Sequence, residues 1–268
     1  MVRIAFSVDT ERDSSHAIPG NPFQATTFGL EKPTFTATEK GLGDLLEILE
    51  EADVPSTFFF EAKTALVLNK KRNLKKQFKG HEIGFHGFNH EDFTGMKTGV
   101  KIAEKDRKKI FDSGIKVLEK VFSCKPRGFR APYLGVDDGL LDLVSKRFKY
   151  DSSCYGYEVS YYKKMPRIPI VGGRDKIGGK IQGFLWPLME GDRKWEDYVF
   201  LVKEALKKKA DSIVIATHSW HTRMTRKNGR LGEKEAEKRK ALVKKVLLEV
   251  KKLRGVEFSA LNEARTQA

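Results

Sequence analysis

The sequence predicts an α/β protein whose parallel strands form a (β/α) barrel. Apolar runs typical of buried strands alternate with amphipathic helical segments along the chain, which is the pattern of a parallel sheet. The length of 268 residues suits one barrel domain of about 250 residues. Several of the strand-like runs also end in residue types that carry out chemistry, as happens where barrel strands meet at one face. We therefore predict a single domain over residues 1–268, with a loose tail from about residue 260.

The individual elements follow from the spacing of apolar residues and from turn signals. Strands are predicted at residues 2–8, 55–60, 81–85, 127–130, 149–153, 212–216 and 256–258. Helices are predicted at residues 37–52, 62–68, 99–121, 137–148, 195–208 and 233–253. Three segments lack these periods: residues 12–36 read as irregular, 154–191 as short strands and turns without a helix, and 221–232 as a basic loop.

The composition is that of a soluble, globular protein with a basic surface. Hydrophobic residues make up 40% of the chain, charged residues 32%, and the net charge is +15. The lysines are spread over amphipathic helices, where solvated side chains are normal, so we predict no nucleic-acid partner. Abundant Lys and Glu with few amides are typical of thermophile proteins. No apolar run approaches the roughly 20 residues of a transmembrane helix, so we predict no transmembrane segment.

The start of the chain and its two cysteines bear on the compartment. The first residues already form a predicted strand and leave no room for a signal peptide, so we expect a cytoplasmic protein. Cys124 and Cys154 are too few for a disulfide framework and lack metal-ligand spacing. We predict two ordinary thiols, and a single disulfide between them stays open.

Residues suited to metal binding and catalysis follow the predicted strands. Histidines four residues apart, as at His86 and His90, would share one face of a helical turn and could bind one metal ion. Strand C-termini bring distant parts of a barrel together at one face. The residues expected there are Asp9, Glu11, His86, His90, Arg130, Asp151 and His218. They supply a carboxylate base, a metal site and a separate acid, the parts of a metal-assisted hydrolase.

Four segments also resemble a known family in their order and composition. They are Ser7-Val-Asp-Thr-Glu11, Gly80-His-Glu-Ile-Gly-Phe-His-Gly-Phe-Asn-His90, Arg130-Ala-Pro-Tyr133 and Thr217-His-Ser-Trp220. The chain resembles the polysaccharide deacetylase (NodB-homology) family, which is carbohydrate esterase family 4. The resemblance implies an irregular (β/α) barrel with a divalent metal, usually Zn²⁺, and removal of an acetyl group from a sugar.

The resemblance also implies a role for each matched residue. Asp9 is similar in position to the catalytic base, and His86 and His90 to metal ligands. Arg130 would keep the base carboxylate ionised. The backbone N–H of Tyr133 would help to hold the developing oxyanion, and His218 would protonate the leaving amine.

The chain departs from the family pattern in its first motif. The family usually has two adjacent aspartates, of which the second binds the metal, whereas Thr10 occupies that second place here. Glu11 is the nearest carboxylate, and some branches with an acid-any-acid motif resemble this arrangement. We therefore predict Glu11 as the third ligand, a surface or loop-capping acid being the alternative.

Two further departures concern the surroundings of the site. Asp151 lies where the family has an aspartate followed by tryptophan, and it could tune His218 or cap a turn. Ala216 takes the place of a leucine that often lines the acetyl pocket. Trp186 or Trp220 could then supply the pocket wall and contact substrate, although core packing is an alternative for both.

The resemblance implies a metal-dependent N-deacetylase that removes an acetyl or other small acyl group from an amino sugar. Its partner would be a small-molecule or oligosaccharide substrate bearing an acylated amine, and a cytoplasmic location favours a small, nucleotide-linked or lipid-linked sugar. One alternative is a hydrolase of a non-sugar linear or cyclic amide, which some relatives cleave without metal. Another is a non-catalytic binding protein on this scaffold, and the retained catalytic residue types argue against it.

Overall fold

The computed structural model describes residues 2–263. The strands are β1 Val2–Thr10, β2 Ser15–Ile18, β3 Asn21–Thr27, β4 Ser56–Phe60, β5 Glu82–Phe85, β6 Gly128–Phe129, β7 Tyr150–Asp151, β8 Tyr155–Gly156, β9 Ser160–Tyr162, β10 Met165–Arg167, β11 Ile170–Arg174, β12 Lys180–Gln182, β13 Ser212–His218, β14 Met224–Thr225, β15 Gly229–Arg230 and β16 Val256–Phe258. The helices are α1 Thr36–Ala52, α2 Ala62–Asn69, α3 Leu74–Gln77, α4 Glu104–Phe122, α5 Asp138–Ser145, α6 Trp186–Glu190, α7 Trp195–Lys207 and α8 Glu233–Lys251.

The main sheet curls into an irregular barrel. Its strand order is β12-β11-β13-β1-β4-β5-β6-β7-β10-β9, with β16 beside β1 and β8 beside β11. The segment between β10 and β11 contacts β7, near one end of this sheet, and β13, near the other. Ile168 donates its N–H to the carbonyl of Asp151 in β7, and the carbonyl of Pro169 accepts the N–H of Val214 in β13. The predicted α/β barrel is therefore confirmed.

Alternating burial along the strands decides which residues face the barrel interior. In β1, Ile4 and Phe6 belong to the large core that the helices cover, whereas Ala5 belongs to a smaller cluster inside the barrel. Since successive side chains of a strand point to opposite faces, Ser7 and Asp9 continue the inner row. His218 pairs with Asp9 in the parallel register of β13 and β1. Two residues 209 positions apart thus lie side by side at the same end of the barrel.

Phenylalanines fill the core between the sheet and helix α4. Phe85, Phe111, Phe129 and Phe148 pack with ring centroids 5.2–6.1 Å apart and are buried. Gly84 and Gly128 in the neighbouring strands leave room for interior aromatic rings, since an added Cβ at Gly128 would lie 2.1 Å from the ring of Tyr150. This packing fixes β5 and β6, whose C-terminal ends lead into the two histidines and Arg130.

Several boundaries differ from the sequence-based prediction. The segment at 154–191 does contain a helix, α6, which begins at Trp186 beside Pro187 and ends before Gly191 with φ 85°. Proline at the start and glycine after the end are helix signals, but five residues are too few for a visible apolar period. Residues 12–36 contain the β2–β3 hairpin, and the long fourth helix starts at Glu104 rather than at residue 99.

The end of the described chain packs against the base of the barrel. Leu261 is buried, and its N–H donates to Thr57 Oγ1. The loose tail predicted from about residue 260 is therefore wrong for residues 260–263, and residues 264–268 lie outside the described range. Cys124 and Cys154 are free thiols. Among residues 2–263, no helix combines the length and the apolar content needed to cross a membrane.

Candidate active site

A buried ion pair joins Asp9 and Arg130 at the C-terminal end of the barrel. Arg130 Nη1 lies 2.7 Å from Asp9 Oδ1 and 2.9 Å from Ser7 Oγ. Both charged side chains are almost fully buried. The guanidinium also donates from Nε to the carbonyl of Ser152 and from Nη2 to Ser152 Oγ, so its orientation is fixed. A fixed cation that donates a charge-assisted hydrogen bond also fixes the orientation of the carboxylate.

Glu11, His86 and His90 form a buried cluster beside this pair. Their ligand atoms lie within 4.8 Å of one another. Glu11 Oε2 is 2.5 Å from His90 Nε2 and 3.5 Å from His86 Nε2. Burial raises the pKa of Glu11, but the two histidines outweigh that effect and hold the pKa well below its ordinary value. An ionised carboxylate and two imidazole nitrogens are a donor set that suits zinc.

The hydrogen bonds around this cluster leave three ligand atoms free to bind a metal. His86 Nδ1 lies 2.8 Å from the carbonyl oxygen of Arg130, which can only accept, so Nδ1 carries the proton and Nε2 offers its lone pair. Trp220 Nε1–H donates to Glu11 Oε1 at 3.1 Å, which leaves Oε2 facing the histidines. The residues therefore fit a divalent ion, and Glu11 occupies the place predicted for the third ligand.

The two histidines meet through a tight turn rather than a helical one. The prediction of one helical face for residues 86–90 is wrong, because the backbone there is irregular and both Gly87 and His90 have positive φ, 79° and 59°. The carboxylate of Glu91 holds the turn by accepting the N–H groups of Phe88 and Asn89, each at 2.8 Å. A Cβ at position 87 would lie 2.6 Å from Glu91 Oε2, so glycine is required at this position.

His218 is enclosed by aromatic rings at the edge of the site. Phe184 stacks on it with centroids 5.0 Å apart, and Trp186 meets it edge-on at 5.2 Å. Burial lowers the pKa of His218, while the negative charges of Glu11 and Asp9 oppose that shift. A neutral imidazole close to two carboxylates can take up a proton and pass it on.

Asp151 does not contact His218, so its predicted catalytic role is wrong. Its Oδ2 pairs with Arg167 Nε at 2.9 Å, and its Oδ1 accepts the hydroxyl of Ser153 at 2.6 Å. Ser153 Oγ in turn accepts the N–H of Ala131 at 2.8 Å. Asp151 therefore positions the segment that carries Arg130 instead of taking part in proton transfer.

A cavity of about 510 Å³ brings the predicted residues together. Asp9, Glu11, His86, His90, Tyr133, Trp186 and His218 all line it. Tyr133 and Leu134 have φ 58°, a conformation that non-glycine residues rarely adopt. Such consecutive left-handed residues are often found where a functional site fixes the backbone.

Trp220 and Ala216 lie behind the cavity. Both are fully buried, and neither lines the cavity. The predicted substrate contact of Trp220 is therefore wrong, because its indole packs inside the protein and bonds Glu11. The predicted wall is formed by Trp186 together with Phe184, whose backbone pairs with Ala216.

Trp220→Phe is expected to lower the affinity for zinc by about tenfold without unfolding the protein, because it removes the hydrogen bond that orients Glu11. Zinc titration against a competing chelator would measure this affinity. Trp195→Phe is the matched control, since Trp195 packs in α7 beside Lys245. An unchanged zinc affinity in Trp220→Phe would contradict the assigned role of Trp220.

Sequence reasoning missed several residues of the site. Ser7 and Ser152 hydrogen-bond to Arg130, and Ser153 accepts the N–H of the next residue, Ala131. Tyr155, Phe184 and Arg226 line the cavity. The two serines after Asp151 were visible in the sequence, but only the pairing of β6 with β7 brings them to Arg130. Phe184 lies just before α6, which the sequence did not predict, so no sequence pattern indicated its position near His218.

The fold and the site together define an α/β barrel with a candidate metal centre at the C-terminal ends of its strands. A family model, Polysaccharide deacetylase, matches residues 34–150. The resemblance predicted from the sequence is thereby confirmed: residues 34–150 are similar to the polysaccharide deacetylase family.

Individual proteins show the same likeness over part of the chain. "Peptidoglycan deacetylase-like protein FGM2" of Gibberella zeae is 29% identical over 127 residues, 46% of this chain and 35% of the relative. Peptidoglycan deacetylase of Helicobacter pylori is 24% identical over 118 residues, 44% of this chain and 38% of the relative. The chain thus spans about a third of the length of the curated relatives that it matches.

A solved structure shows the same fold over nearly the whole chain. Puue allantoinase superimposes with a TM-score of 0.64 at 16% identity, covering 98% of this chain and 88% of the other. At that identity the likeness concerns the fold alone.

Proposed function

We propose that this protein is a metal-dependent hydrolase that removes an acetyl or other small acyl group from the amino group of a sugar. The observation that carries the proposal is the convergence of Asp9, the Glu11–His86–His90 cluster and His218 on one cavity. The family match and the name of its Helicobacter pylori relative, a peptidoglycan deacetylase, support an amide bond on a sugar as the target.

Asp9 is the proposed base. Its carboxylate is buried, and the charge-assisted hydrogen bond from Arg130 fixes the orientation of its oxygens. The second oxygen is free to accept a proton from a water molecule in the cavity. A positioned base of this kind contributes about 10²–10⁴-fold to a hydrolysis rate.

His218 is the proposed acid that protonates the departing amine. Its ring lines the same cavity and lies next to Asp9 in the strand register. Phe184 stacks on the imidazole and Trp186 packs edge-on against it, so both rings restrict its orientation. Tyr133 also lines the cavity, and its backbone N–H is proposed to bind the developing oxyanion.

Glu11, His86 and His90 are the proposed metal ligands, and zinc is the proposed ion. Two imidazoles and one carboxylate form a set that catalytic zinc sites use. A divalent ion held there supplies polarisation of the acyl oxygen and activation of water. The second oxygen of Glu11 is held by Trp220, so the ligand set is oriented before a metal arrives.

Acetate release from N-acetylated amino sugars tests the proposed function. We expect hydrolysis by the zinc-loaded protein, loss of activity after dialysis against a chelator, and recovery when zinc returns. Activity that survives complete metal removal would contradict the proposed metal dependence. Hydrolysis of a linear or cyclic amide, with no acetate release from any acetylated sugar, would contradict the proposed substrate. Metal binding without any hydrolysis would instead indicate a binding protein.

A further inference from the structure

Arg226 places an uncompensated positive charge at the cavity. Arg226 lines the cavity and is half-buried. Within residues 2–263, no carboxylate forms an ion pair with it. Burial lowers the pKa of Arg226, although the more distant Glu11 and Glu190 oppose the shift. A half-buried charge without a direct partner is costly to keep unless a ligand compensates it.

The contacts of Arg226 orient the guanidinium without neutralising it. Nη2 donates to the carbonyl of Ser15 at 2.8 Å, and Nε donates to Ser14 Oγ at 3.2 Å. The guanidinium carbon lies 4.5 Å from the ring centroid of Trp186 and 5.2 Å from that of Phe28. These acceptors and rings are neutral, so the full charge remains available to an anion.

The other charges of the cavity are already balanced or lie at its rim. Arg193 pairs with Asp175 at 2.8 Å, and Asp9 pairs with Arg130. Lys180 also lines the cavity with an exposed side chain. The cavity therefore offers two cations, Arg226 and Lys180, that form no ion pair within the described part of the chain.

We propose that the substrate carries an anionic group, a carboxylate or a phosphate, and that Arg226 binds it. This inference rests on the proposed function and narrows its substrate class to acidic amino sugars. Trp186 contacts both Arg226 and His218, so the anionic group and the scissile amide would both lie next to this indole ring. Arginine suits this role because its planar fork matches carboxylate and phosphate oxygens.

Binding of reaction products tests the proposal independently of catalysis. The probes are glucosamine, glucosamine 6-phosphate and muramic acid, which carry no acyl group to remove. The affinities would be measured by calorimetry at about 0.15 M salt, so that charges are screened as they are at physiological ionic strength. We expect at least one acidic probe to bind the wild type about tenfold or more tightly than glucosamine, as charge-assisted hydrogen bonds predict. The two acidic probes distinguish phosphate from carboxylate.

Variants assign that preference to one side chain. Arg226→Gln is expected to abolish most of it, and Arg226→Lys to keep part of it. Arg230→Gln is the matched control, because it removes the same charge from an exposed arginine four residues away. Equal affinity of the wild type for all three probes, or an unchanged preference in Arg226→Gln, would overturn the proposal.

The same probes in acetylated form separate this inference from the proposed function. An acidic preference that depends on Arg226, without acetate release from any acetylated probe, would refute the hydrolase and keep the anion site. Acetate release with equal affinity for acidic and neutral probes would refute the anion site and keep the hydrolase.

Discussion

Asp9→Asn is expected to lower the rate of acyl-group hydrolysis by about 10²–10⁴-fold. The amide keeps the size of the side chain but cannot accept a proton from water. Asp9 also contributes no atom to the Glu11–His86–His90 cluster, so the variant should still bind zinc. Acetate release and zinc content, measured on the same preparation, would show this combination.

The control for this variant is a carboxylate paired with arginine outside the cavity. Asp137 pairs with Arg107 at 2.7 Å and caps helix α5. Asp137→Asn keeps the capping oxygen, and the activity of this control should stay near the wild-type value. If Asp9→Asn retained activity comparable to that of Asp137→Asn, Asp9 would not be the base.

His86→Ala is expected to abolish both zinc binding at micromolar concentration and hydrolysis. The substitution removes one of three ligand atoms and also the Nδ1–H that bonds the carbonyl of Arg130. Loss of a group that only orients a ligand costs about 10- to 100-fold in metal affinity, so loss of the ligand itself should cost more. Competition with a chromogenic chelator would measure the affinity.

His81→Ala is the matched control for this loss. His81 precedes strand β5, whereas His86 follows it, and its ring packs edge-on against Phe58 at 5.3 Å. Zinc affinity should be unchanged in this variant. Equal loss of zinc in both variants would mean that damage to β5, rather than loss of a ligand, explains the result.

The sequence was informative where the alternation of side chains along a strand determines which side of the sheet they face. Alternation along β1 places Ser7 and Asp9 on the inner side of the barrel, and Glu11 follows at the strand end. The same period in β13 leads to His218, and parallel pairing makes it the neighbour of Asp9. These residues could be predicted because strand direction and sheet type were sufficient to place them.

The sequence was not informative where a contact depends on tertiary pairing. Asp151 could not be assigned from sequence, because its partner Arg167 reaches it only through the pairing of β7 with β10. The turn between the two histidines depends on Glu91 capping backbone N–H groups, which no apolar period reveals. Arg226 contacts Ser15 of the β2–β3 hairpin and Trp186 of α6 because three segments that are distant in sequence come together in the fold.

Metal content is the most direct test of the proposed site. We would measure zinc in wild-type protein and in Glu11→Gln, purified without a chelator and without a histidine tag, before and after equilibration with zinc. We expect about one zinc ion per wild-type chain and a large loss in Glu11→Gln, because the carboxylate completes a three-ligand site. A wild-type chain that binds no zinc after equilibration, or a Glu11→Gln variant that keeps it fully, would contradict the proposed metal centre.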